Sequence, residues 1–464
     1  MELNKRSSKV SHFALQSKNV IVNHNGNSEM VAACVEIKDQ LIHAIHPYGS
    51  KLSCQVIDYA EHVIMPGLVD SHVHINEPGR TEWEGFNPAT QAAAAGGITA
   101  LVDMPLNCIP VTTTKAAFAE KLAAVDDKLW VDCGFWGGVI PQNIADLDDL
   151  LNAGVLGVKS FLIDSGIAEF PNVAAQDIRA AMPILAKHDV PYLIHAELDC
   201  GGFNNAVINE KYNSFLASRP KKWENDAIAL MVEMARESKA KGDDCKVHIV
   251  HLSSDEALAT IADAKREGLR FSAETCPHYL TLAAEHIPDG KTLFKCCPPI
   301  REENNREHLW QAVKDGRIDF IVSDHSPCTP ELKHIDTGDI EKAWGGISAL
   351  QFGLPLIWTQ AKERGFSLVD LARLMSSETA KFAGLNTIKG QISVGFHADF
   401  LVFDANKSYT ITNDMIKHRH HITPYAGRRV TGQILHTYVR GHHVYQQDEF
   451  LDSPVGRPLL KGQF

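Results

Sequence analysis

The sequence predicts an α/β protein that combines a (β/α)₈ barrel of the TIM type with a small β-sandwich formed by both chain ends. Three observations predict this class. Eight apolar runs alternate with helical stretches in the middle of the chain, short alternating segments occupy both ends, and 464 residues, 44% of them hydrophobic, suffice for one large and one small domain. We therefore expect residues 1–62 and 389–464 to build the sandwich and residues 63–388 to build the barrel.

The chain begins and ends with short segments in which apolar residues recur at every second position. Residues 19–22 and 35–37 have this character near the start, and residues 399–403 and 432–439 have it near the end. A period of two is typical of strands with one buried face. Because both ends share the pattern, we expect them to meet in one β-sandwich.

Between these ends, each of the eight apolar runs is followed by a helical pattern, which is typical of parallel βα units. We expect one helix at residues 112–125, where threonines can cap its start, and another after Ser254, where acidic residues meet the positive end of the helix. A barrel carries its chemistry at the C-terminal ends of its strands. The runs end near His74, Met104, Ile140, Leu162, Glu197, Ser253, Tyr279 and His325.

Composition and charge favour a small-molecule partner. The 45 Lys and Arg against 57 Asp and Glu give a net charge of −12, which disfavours nucleic acid and an anionic membrane as partners. The 10 cysteines include no Cys-x-x-Cys pair, and no apolar run is long enough to span a membrane. We expect reduced thiols and a cytoplasmic protein, although the basic start at Lys5, Arg6 and Lys9 leaves an organelle address open.

Four histidines and one aspartate lie at the ends of these runs. His72 and His74 are two residues apart on the first run, so both rings point to the same face of a strand and can reach one metal ion. A single His-x-His pair is more often ordinary packing, but runs five, six and eight also end on His195, His251 and Asp324. Imidazoles and a carboxylate together suit Zn²⁺, Mn²⁺, Co²⁺ or Fe²⁺. We expect His248, which points the other way, to be structural.

The fourth run, residues 155–162, contains Lys159 within an apolar strand. Burial of an unpaired ammonium group is costly, so this lysine must be paired, neutral or chemically altered. One interpretation is a lysine whose amine reaches solvent from the strand end. The alternative is a lysine carboxylated by CO₂, whose anionic carbamate could bridge two cations.

Residues 66–74 resemble the metal-binding opening of the amidohydrolase superfamily, specifically its cyclic amidohydrolases. The resemblance covers nearly the whole chain and implies a barrel with a β-sandwich. It also implies two divalent cations, zinc first among them, and a carbamate on Lys159 that bridges them. By the same resemblance, His72, His74 and Asp324 hold one cation and His195 and His251 hold the other.

Within that family, residues 76–85, 103–107, 323–328 and 343–346 resemble the allantoinases. Dihydroorotases carry an arginine for the substrate carboxylate where this chain has Asn76, which suits a neutral ring. The resemblance implies hydrolysis of the hydantoin ring of allantoin to allantoate, a step of purine breakdown, and a homotetrameric enzyme. Two cations would supply hydroxide at neutral pH, and Asp324 would move the proton from the water to the leaving ring nitrogen.

The resemblance implies substrate contacts for Ser326, Asn76 and Cys297. For Ser326, a plain turn residue before Pro327 is an equally good interpretation. Cys297 stands where serine is usual, and Val158 and Ser160 flank Lys159 where an aromatic residue and a cysteine are common. His278 either lines the pocket or braces it, and we favour bracing. Asp70 either orients a metal-binding histidine or serves packing.

Two other functions remain open on the sequence. A hydantoinase or dihydropyrimidinase would open a different cyclic amide with the same site. Non-catalytic assembly proteins that resemble dihydropyrimidinase keep the barrel but lose metal ligands. All six ligand positions are occupied in this chain, which disfavours a purely structural role.

Overall fold

The structure is a computed structural model that describes residues 12–24, 26–201, 208–451 and 453–464. The basic start, Lys5 to Lys9, and the first residues of the predicted N-terminal segment lie outside the described residues. Within those ranges, no helix is both long and apolar enough to cross a membrane.

Both chain ends contribute to one 9-stranded sheet of the described chain. Its strands are β1 (Phe13–His24), β2 (Asn27–Lys38), β3 (Leu41–Pro47), β4 (Gln55–Asp58), β5 (Val63–Pro66), β15 (Phe400–Thr410), β16 (Arg429–Val439), β17 (His442–Gln446) and β18 (Glu449–Phe450). β5 pairs with β1 on one side and with β15 on the other, so it joins the two ends. The predicted meeting of the ends is therefore observed, as one continuous sheet.

Alternate residues of this end sheet face two different apolar clusters. Val20, Ile64 and Val402 pack in a cluster confined to the end sheet, whereas Met65 and Phe403 join the large core that continues into the parallel strands. This period of two in β15 explains why the sequence pattern identified it as a strand, whereas β5 was predicted as the start of the first barrel run. The sheet thus packs one face against the rest of the molecule.

The middle of the chain, joined by one short strand from the C-terminal end, forms parallel strands that are mostly buried on both faces. A 4-stranded and a 6-stranded sheet are seen in the described residues. The strands are β6 (Leu68–Val73), β7 (Ile98–Asp103), β8 (Asp132–Phe135) and β19 (Pro458–Leu459), then β9 (Gly137–Gly138), β10 (Val158–Phe161), β11 (Pro191–His195), β12 (Lys246–Ile249), β13 (Phe271–Thr275) and β14 (Phe320–Ile321). The prediction of an α/β protein with parallel strands is confirmed.

Helices follow most of the parallel strands. They are α1 (Phe86–Ala95), α2 (Lys115–Ala124), α3 (Leu147–Asn152), α4 (Ala175–His188), α5 (Tyr212–Ser218), α6 (Lys221–Lys241), α7 (Leu258–Arg266), α8 (Pro277–Thr281), α9 (Glu303–Lys314), α10 (Gly353–Ala361), α11 (Leu368–Ala372) and α12 (Glu378–Phe382). The predicted helix at 112–125 is α2, and the Thr114 hydroxyl caps it by accepting from the Ala117 N–H at 3.1 Å. The predicted helix after Ser254 begins as a 3₁₀ turn and continues as α7.

Three of the predicted runs differ from single barrel strands. The third is divided at Trp136 into β8 of the 4-stranded sheet and β9 of the 6-stranded sheet. The first run is divided at Gly67 into β5 of the end sheet and β6 of the parallel sheet. A Cβ at Gly67 would lie 2.2 Å from Thr99 Oγ1, so only glycine permits this close passage. The seventh run ends at Thr275 and not near Tyr279, because Pro277 begins α8.

Candidate metal centre

Five of the six predicted ligands lie at or just after the C-terminal ends of the parallel strands, and Lys159 is the second residue of β10. His72 is on β6, Lys159 on β10 and His195 at the end of β11. His251 and Asp324 follow β12 and β14 and have left-handed backbone angles, with φ of 39° and 43°. Non-glycine residues in this region are strained and concentrate at functional sites. The conformation turns both side chains out of the strand direction and towards the others.

Short distances join these side chains. Asp324 Oδ1 lies 3.2 Å from His72 Nε2 and 3.6 Å from His74 Nε2. One ligand atom from each of these three residues lies within 4.8 Å of the others, as a shared metal ion requires. The ring centroids of His195 and His251 are 4.6 Å apart, and those of His72 and His251 are 5.4 Å apart. The two histidine groups therefore adjoin.

The histidine ring nitrogens can act as metal ligands because the imidazoles are neutral and these atoms have no hydrogen-bond partner among the described residues. Burial lowers the pKa of His72, His74 and His251 well below the ordinary value. Among the described residues, His72 Nε2, His74 Nδ1 and His251 Nδ1 are buried atoms without a hydrogen-bond partner. Neutral imidazoles with free nitrogens are the form that binds a cation.

Lys159 is completely buried at the centre of this group. Its Nζ finds no hydrogen-bond acceptor within the described part of the chain and lies 5.2 Å from the Phe161 ring centroid. Burial lowers the pKa of Lys159 to about 8. The first interpretation, an amine that reaches solvent, is therefore wrong, since the side chain is 0% exposed. An amine at this position is therefore easier to deprotonate than an ordinary lysine, which favours its modification.

A cavity of about 540 Å³ opens onto the cluster. Its lining includes His74, Lys159, His195, His251 and Asp324, and also Ser326 and Cys297, as predicted for a substrate site. This volume is typical of small-molecule sites. The cluster therefore offers ligands for cations, and the adjoining cavity offers space for a small polar molecule.

Asn76 does not belong to this lining. Its φ is 66°, and its amide donates to the Pro327 carbonyl at 3.2 Å. The prediction that Asn76 contacts the substrate is therefore not supported by its position. Because β6 ends at Val73, the alternation that places His72 and His74 together stops before Asn76, which instead ties the loop to the segment after Ser326.

Comparison with known proteins shows the family to which this cluster belongs. Residues 63–444 match the family model described as the amidohydrolase family. The chain belongs to the amidohydrolase family. The allantoinase of Saccharomyces cerevisiae is 44% identical over 96% of this chain and 98% of its own length, and that of Streptomyces avermitilis is 46% identical over 92% and 95%. The solved L-hydantoinase (dihydropyrimidinase) of Arthrobacter aurescens matches with a TM-score of 0.88 at 28% identity, over 96% of this chain and 99% of that one. The predicted family is confirmed.

Two buried carboxylates that sequence reasoning missed hold the histidines of this amidohydrolase. Glu274 accepts from His72 Nδ1 at 2.5 Å and from His248 Nε2 at 3.0 Å. Glu197 accepts from His195 Nε2 at 2.8 Å and pairs with Arg219 at 2.7 Å. Such partners fix the tautomer and direct the other ring nitrogen towards a metal. An acid within an apolar strand, as at Glu274, is the same sequence signal that identified Lys159.

Asp70 accepts hydrogen bonds from the backbone of the site in this amidohydrolase. Its carboxylate accepts from the backbone N–H groups of His72 and Ser323, each at 3.1 Å, and so joins β6 to the segment after β14. Burial raises the pKa of Asp70 to about 7. Of the two predicted alternatives, the structure therefore favours positioning, exerted through the main chain of His72.

His248 and His278 lie outside the proposed ligand set of the amidohydrolase. His248 packs on Phe320 and bonds Ser272 and Glu274, which fits its predicted structural role. His278 lies on α8, and neither of its ring nitrogens has a partner among the residues described. One of its nitrogens lies within 4.8 Å of a ligand atom of Asp324.

Proposed function

We propose that this amidohydrolase is an allantoinase, which hydrolyses the hydantoin ring of allantoin to give allantoate. The observation that carries the proposal is the cluster of four histidines, Lys159 and Asp324 beneath one cavity. The proposal is supported by the relatives of this chain, because proteins named allantoinase from yeast, a bacterium, a plant and a frog are 42–47% identical to it.

The proposed cofactor is a pair of divalent cations, with zinc preferred and iron, cobalt or manganese as alternatives. His72, His74 and Asp324 would hold one cation, His195 and His251 would hold the other, and a carbamate on Lys159 would join them. The unpaired ring nitrogens and the isolated Lys159 amine support this assignment. When bound, the cations polarise the scissile carbonyl and make water nucleophilic at neutral pH.

The carbamate follows from the surroundings of Lys159. The Lys159 ammonium first loses one proton; CO₂ then adds to the neutral amine, one N–C bond forms and a second proton leaves, so a buried cation becomes a buried anion. Four neutral imidazoles and one carboxylate leave positive charge to be neutralised when two cations bind, and the carbamate supplies an anionic ligand. The aromatic ring of Phe161, 5.2 Å from Nζ, offers no anionic partner that would compete with the cations for this position.

Asp324 is proposed to move the proton. Its carboxylate borders the cavity, accepts a proton from the attacking water, and donates it to the ring nitrogen as the C–N bond breaks. The water oxygen becomes part of the product carboxylate, and the released nitrogen becomes part of a ureido group. Ser326 and Cys297, which line the same cavity, are proposed to contact the substrate.

The experiment compares four rings on one metal-reconstituted preparation: allantoin, hydantoin, dihydrouracil and dihydroorotate. We expect the highest kcat/KM for allantoin, with allantoate as the product. Dihydroorotate should be the poorest, because Asn76 stands where dihydroorotases carry an arginine. Higher kcat/KM for any of the other three rings would contradict the proposal.

A hydantoinase or dihydropyrimidinase is the second candidate. The likeness to the A. aurescens L-hydantoinase at a TM-score of 0.88 favours it. Hydrolysis of 5-alkyl hydantoins in preference to allantoin would establish this alternative.

The architecture also carries proposals. We propose that the two parallel sheets form one closed (β/α)₈ barrel. Two observations support a closed barrel: only Trp136 separates β8 from β9, and a parallel bridge links Val73 to His325.

The proposed domain segments are 1–62, 63–388 and 389–464. We move the first boundary to Gly67, because β5 pairs within the end sheet. A homotetramer remains proposed on the resemblance to cyclic amidohydrolases, and a cytoplasmic location remains proposed on the unpaired cysteines, with an organelle as the alternative.

A further inference from the structure

A second group of metal-ligating side chains lies on the end sheet, outside the candidate metal centre. His12 directly precedes β1, Glu36 lies on β2, His46 lies on β3 and Cys54 directly precedes β4. One ligand atom from each of His12, Glu36 and Cys54 lies within 4.8 Å of the other two, which is the spacing that one bound ion requires. None of the four residues is among those that line the cavity of the candidate metal centre.

The strand register explains why these side chains meet. Phe13 pairs with Gln55 where β1 and β4 begin to run side by side, so His12 and Cys54, each one residue earlier, come next to each other. β2 pairs with β1 on its other side and brings Glu36 to the same place. Residues far apart in the sequence therefore form one group on the end sheet.

Glu36 lies between two imidazoles. Its carboxylate accepts from His12 Nε2 at 2.6 Å through one oxygen and from His46 Nε2 at 2.8 Å through the other. Both Nε2 atoms therefore point at the same anion, and a cation placed among them would replace the hydrogens that they now share with it. The side chains are thus oriented for an ion before it binds.

The group is reachable from solvent. The side chains of His12 and His46 are 37% and 31% exposed, that of Glu36 is 14% exposed, and Cys54 is half-buried. An ion can therefore enter from solution without a change of fold. Because solvent screens charges more strongly here than at the buried histidines, we expect weaker binding than at the candidate metal centre.

The donor atoms select the kind of ion. Thiolate sulfur and imidazole nitrogen are preferred ligands of Zn²⁺, which takes four ligands in structural sites. Mg²⁺ and Ca²⁺ take oxygen ligands, so this set disfavours them. When zinc binds, the Cys54 thiol releases its proton to solvent and a bond forms between sulfur and zinc.

We propose that the end sheet binds one Zn²⁺ ion through His12, Glu36 and Cys54. His46 completes the set as the fourth ligand. The ion joins β1, β2, β3 and the segment before β4, so its role is to hold the N-terminal part of the end sheet together. This site does not depend on which ring the amidohydrolase opens.

Zinc content tests the site directly. Protein stripped of metal is dialysed against excess Zn²⁺ under reducing conditions, and the bound zinc is counted. Wild-type protein should hold about one equivalent more than Cys54→Ala, whatever number the candidate metal centre holds. Cys200→Ala removes an exposed thiol from another part of the chain and should match the wild type. Equal zinc content in wild-type and Cys54→Ala protein overturns the inference.

Cobalt identifies the sulfur ligand. Co²⁺ bound to a thiolate absorbs in the near ultraviolet by charge transfer from sulfur, whereas imidazole and carboxylate ligands give no such band. We expect this band in wild-type and Cys200→Ala protein and its loss in Cys54→Ala. A band that persists unchanged in Cys54→Ala would place the sulfur elsewhere, for example at Cys276 beside Asp324, and would contradict the inference.

A second variant and the activity distinguish a lost ion from a general loss of structure. His12→Ala should also hold about one equivalent less zinc, with the exposed His24→Ala as its control. Turnover of the ring that the wild-type protein hydrolyses best should be unchanged in Cys54→Ala and His12→Ala, because neither residue lines the cavity. Loss of turnover together with the zinc would show that the missing ion belonged to the candidate metal centre, and would overturn the inference while leaving the proposed function intact.

Discussion

At the scale of single residues, Lys159 distinguishes this site most clearly from an ordinary cluster of buried histidines. Its amine is enclosed by the proposed ligands and the Phe161 ring and has no acceptor among the described residues. Such a position destabilises an ammonium group but suits a carbamate that binds cations. The proposed metal pair therefore depends on this side chain more than on any one histidine.

We expect Lys159→Ala to lose bound metal and activity, because the ligand between the two cations is removed. A short-chain carboxylic acid, such as acetate or propionate, should restore part of the activity by occupying the vacated space. Metal content and allantoin turnover, measured with and without the acid, check this prediction. Lys241→Ala, an exposed substitution, is the control, and an unrescued Lys159→Ala protein with full activity would exclude the bridging role.

Asp324 carries the proposed proton transfer as well as a metal contact. Asp324→Asn keeps the shape and one ligand oxygen, and asparagine tolerates the left-handed φ of 43°. We expect this variant to retain much of its metal while turnover falls about 100-fold or more, in the range that general acid–base groups contribute. Turnover near that of the wild type would show that another group moves the proton.

Glu274 is expected to act on metal affinity through His72. Glu274→Gln weakens the acceptor for His72 Nδ1, so metal affinity should fall about 10- to 100-fold. Competition with a chelator measures the affinity, and added metal should recover most of the turnover. The exposed substitution Glu233→Gln is the matched control. Unchanged affinity in Glu274→Gln would mean that His72 is oriented by its backbone alone.

The sequence predicted four histidines and Asp324 as ligands because the strand-end rule places such residues together, and it added Lys159 from its apolar surroundings and the family resemblance. It did not predict Glu274 and Glu197, since their pairing with His72 and His195 depends on how the parallel strands and their loops are packed against one another. It misplaced Asn76 because alternation holds only within a strand, and β6 ends at Val73. Local periodicity therefore predicts a site up to the point where regular structure ends.

At the scale of the elements, a buried ion network ties the parallel strands to the end sheet. Lys389 pairs with Asp132, next to the start of β8, at 2.6 Å, and with Asp399, which precedes β15, at 2.5 Å. Arg440 pairs with the same Asp132 carboxylate, and these neighbouring cations hold the pKa of Asp132 below its ordinary value despite burial. The network joins segments far apart in the chain.

We expect Lys389→Met to lower the free energy of unfolding by about 3 kcal/mol, because it leaves two buried carboxylates with too few cations. Denaturant unfolding measures the change. The exposed Lys381→Met is the control and should change stability by less than about 0.5 kcal/mol. Equal stability of the two variants would mean that Arg440 alone neutralises both carboxylates.

The elements themselves differ in how well a pattern predicts them. α2 follows its sequence signals, since Thr114 caps it as the threonines suggested. The run at 63–70 was predicted as one strand but forms two, in different sheets. A continuous apolar run gives no sign that Gly67 packs closely against Thr99 and divides the run. The predicted end of the seventh strand is wrong because of Pro277, which begins α8. The fixed φ of proline permits a helix start as readily as a strand end.

At the scale of the whole molecule, the end sheet and the parallel strands form one framework around the cavity. β5 continues into β6 through Gly67, so the strand that joins both chain ends leads directly to His72 and His74. The sequence predicted that the ends would meet, but it could not predict one continuous sheet, because pairing between β5, β1 and β15 is non-local.

The central claim is that two cations, held by one buried cluster, make this chain an allantoinase. Protein stripped of metal with a chelator and then titrated with Zn²⁺ tests it, with allantoate formation measured at each addition. We expect no allantoate from the stripped protein and a rise that levels off near about two equivalents per chain, as for a two-metal hydrolytic site. Full activity without metal, or no allantoate from protein that has bound two equivalents, would contradict the claim.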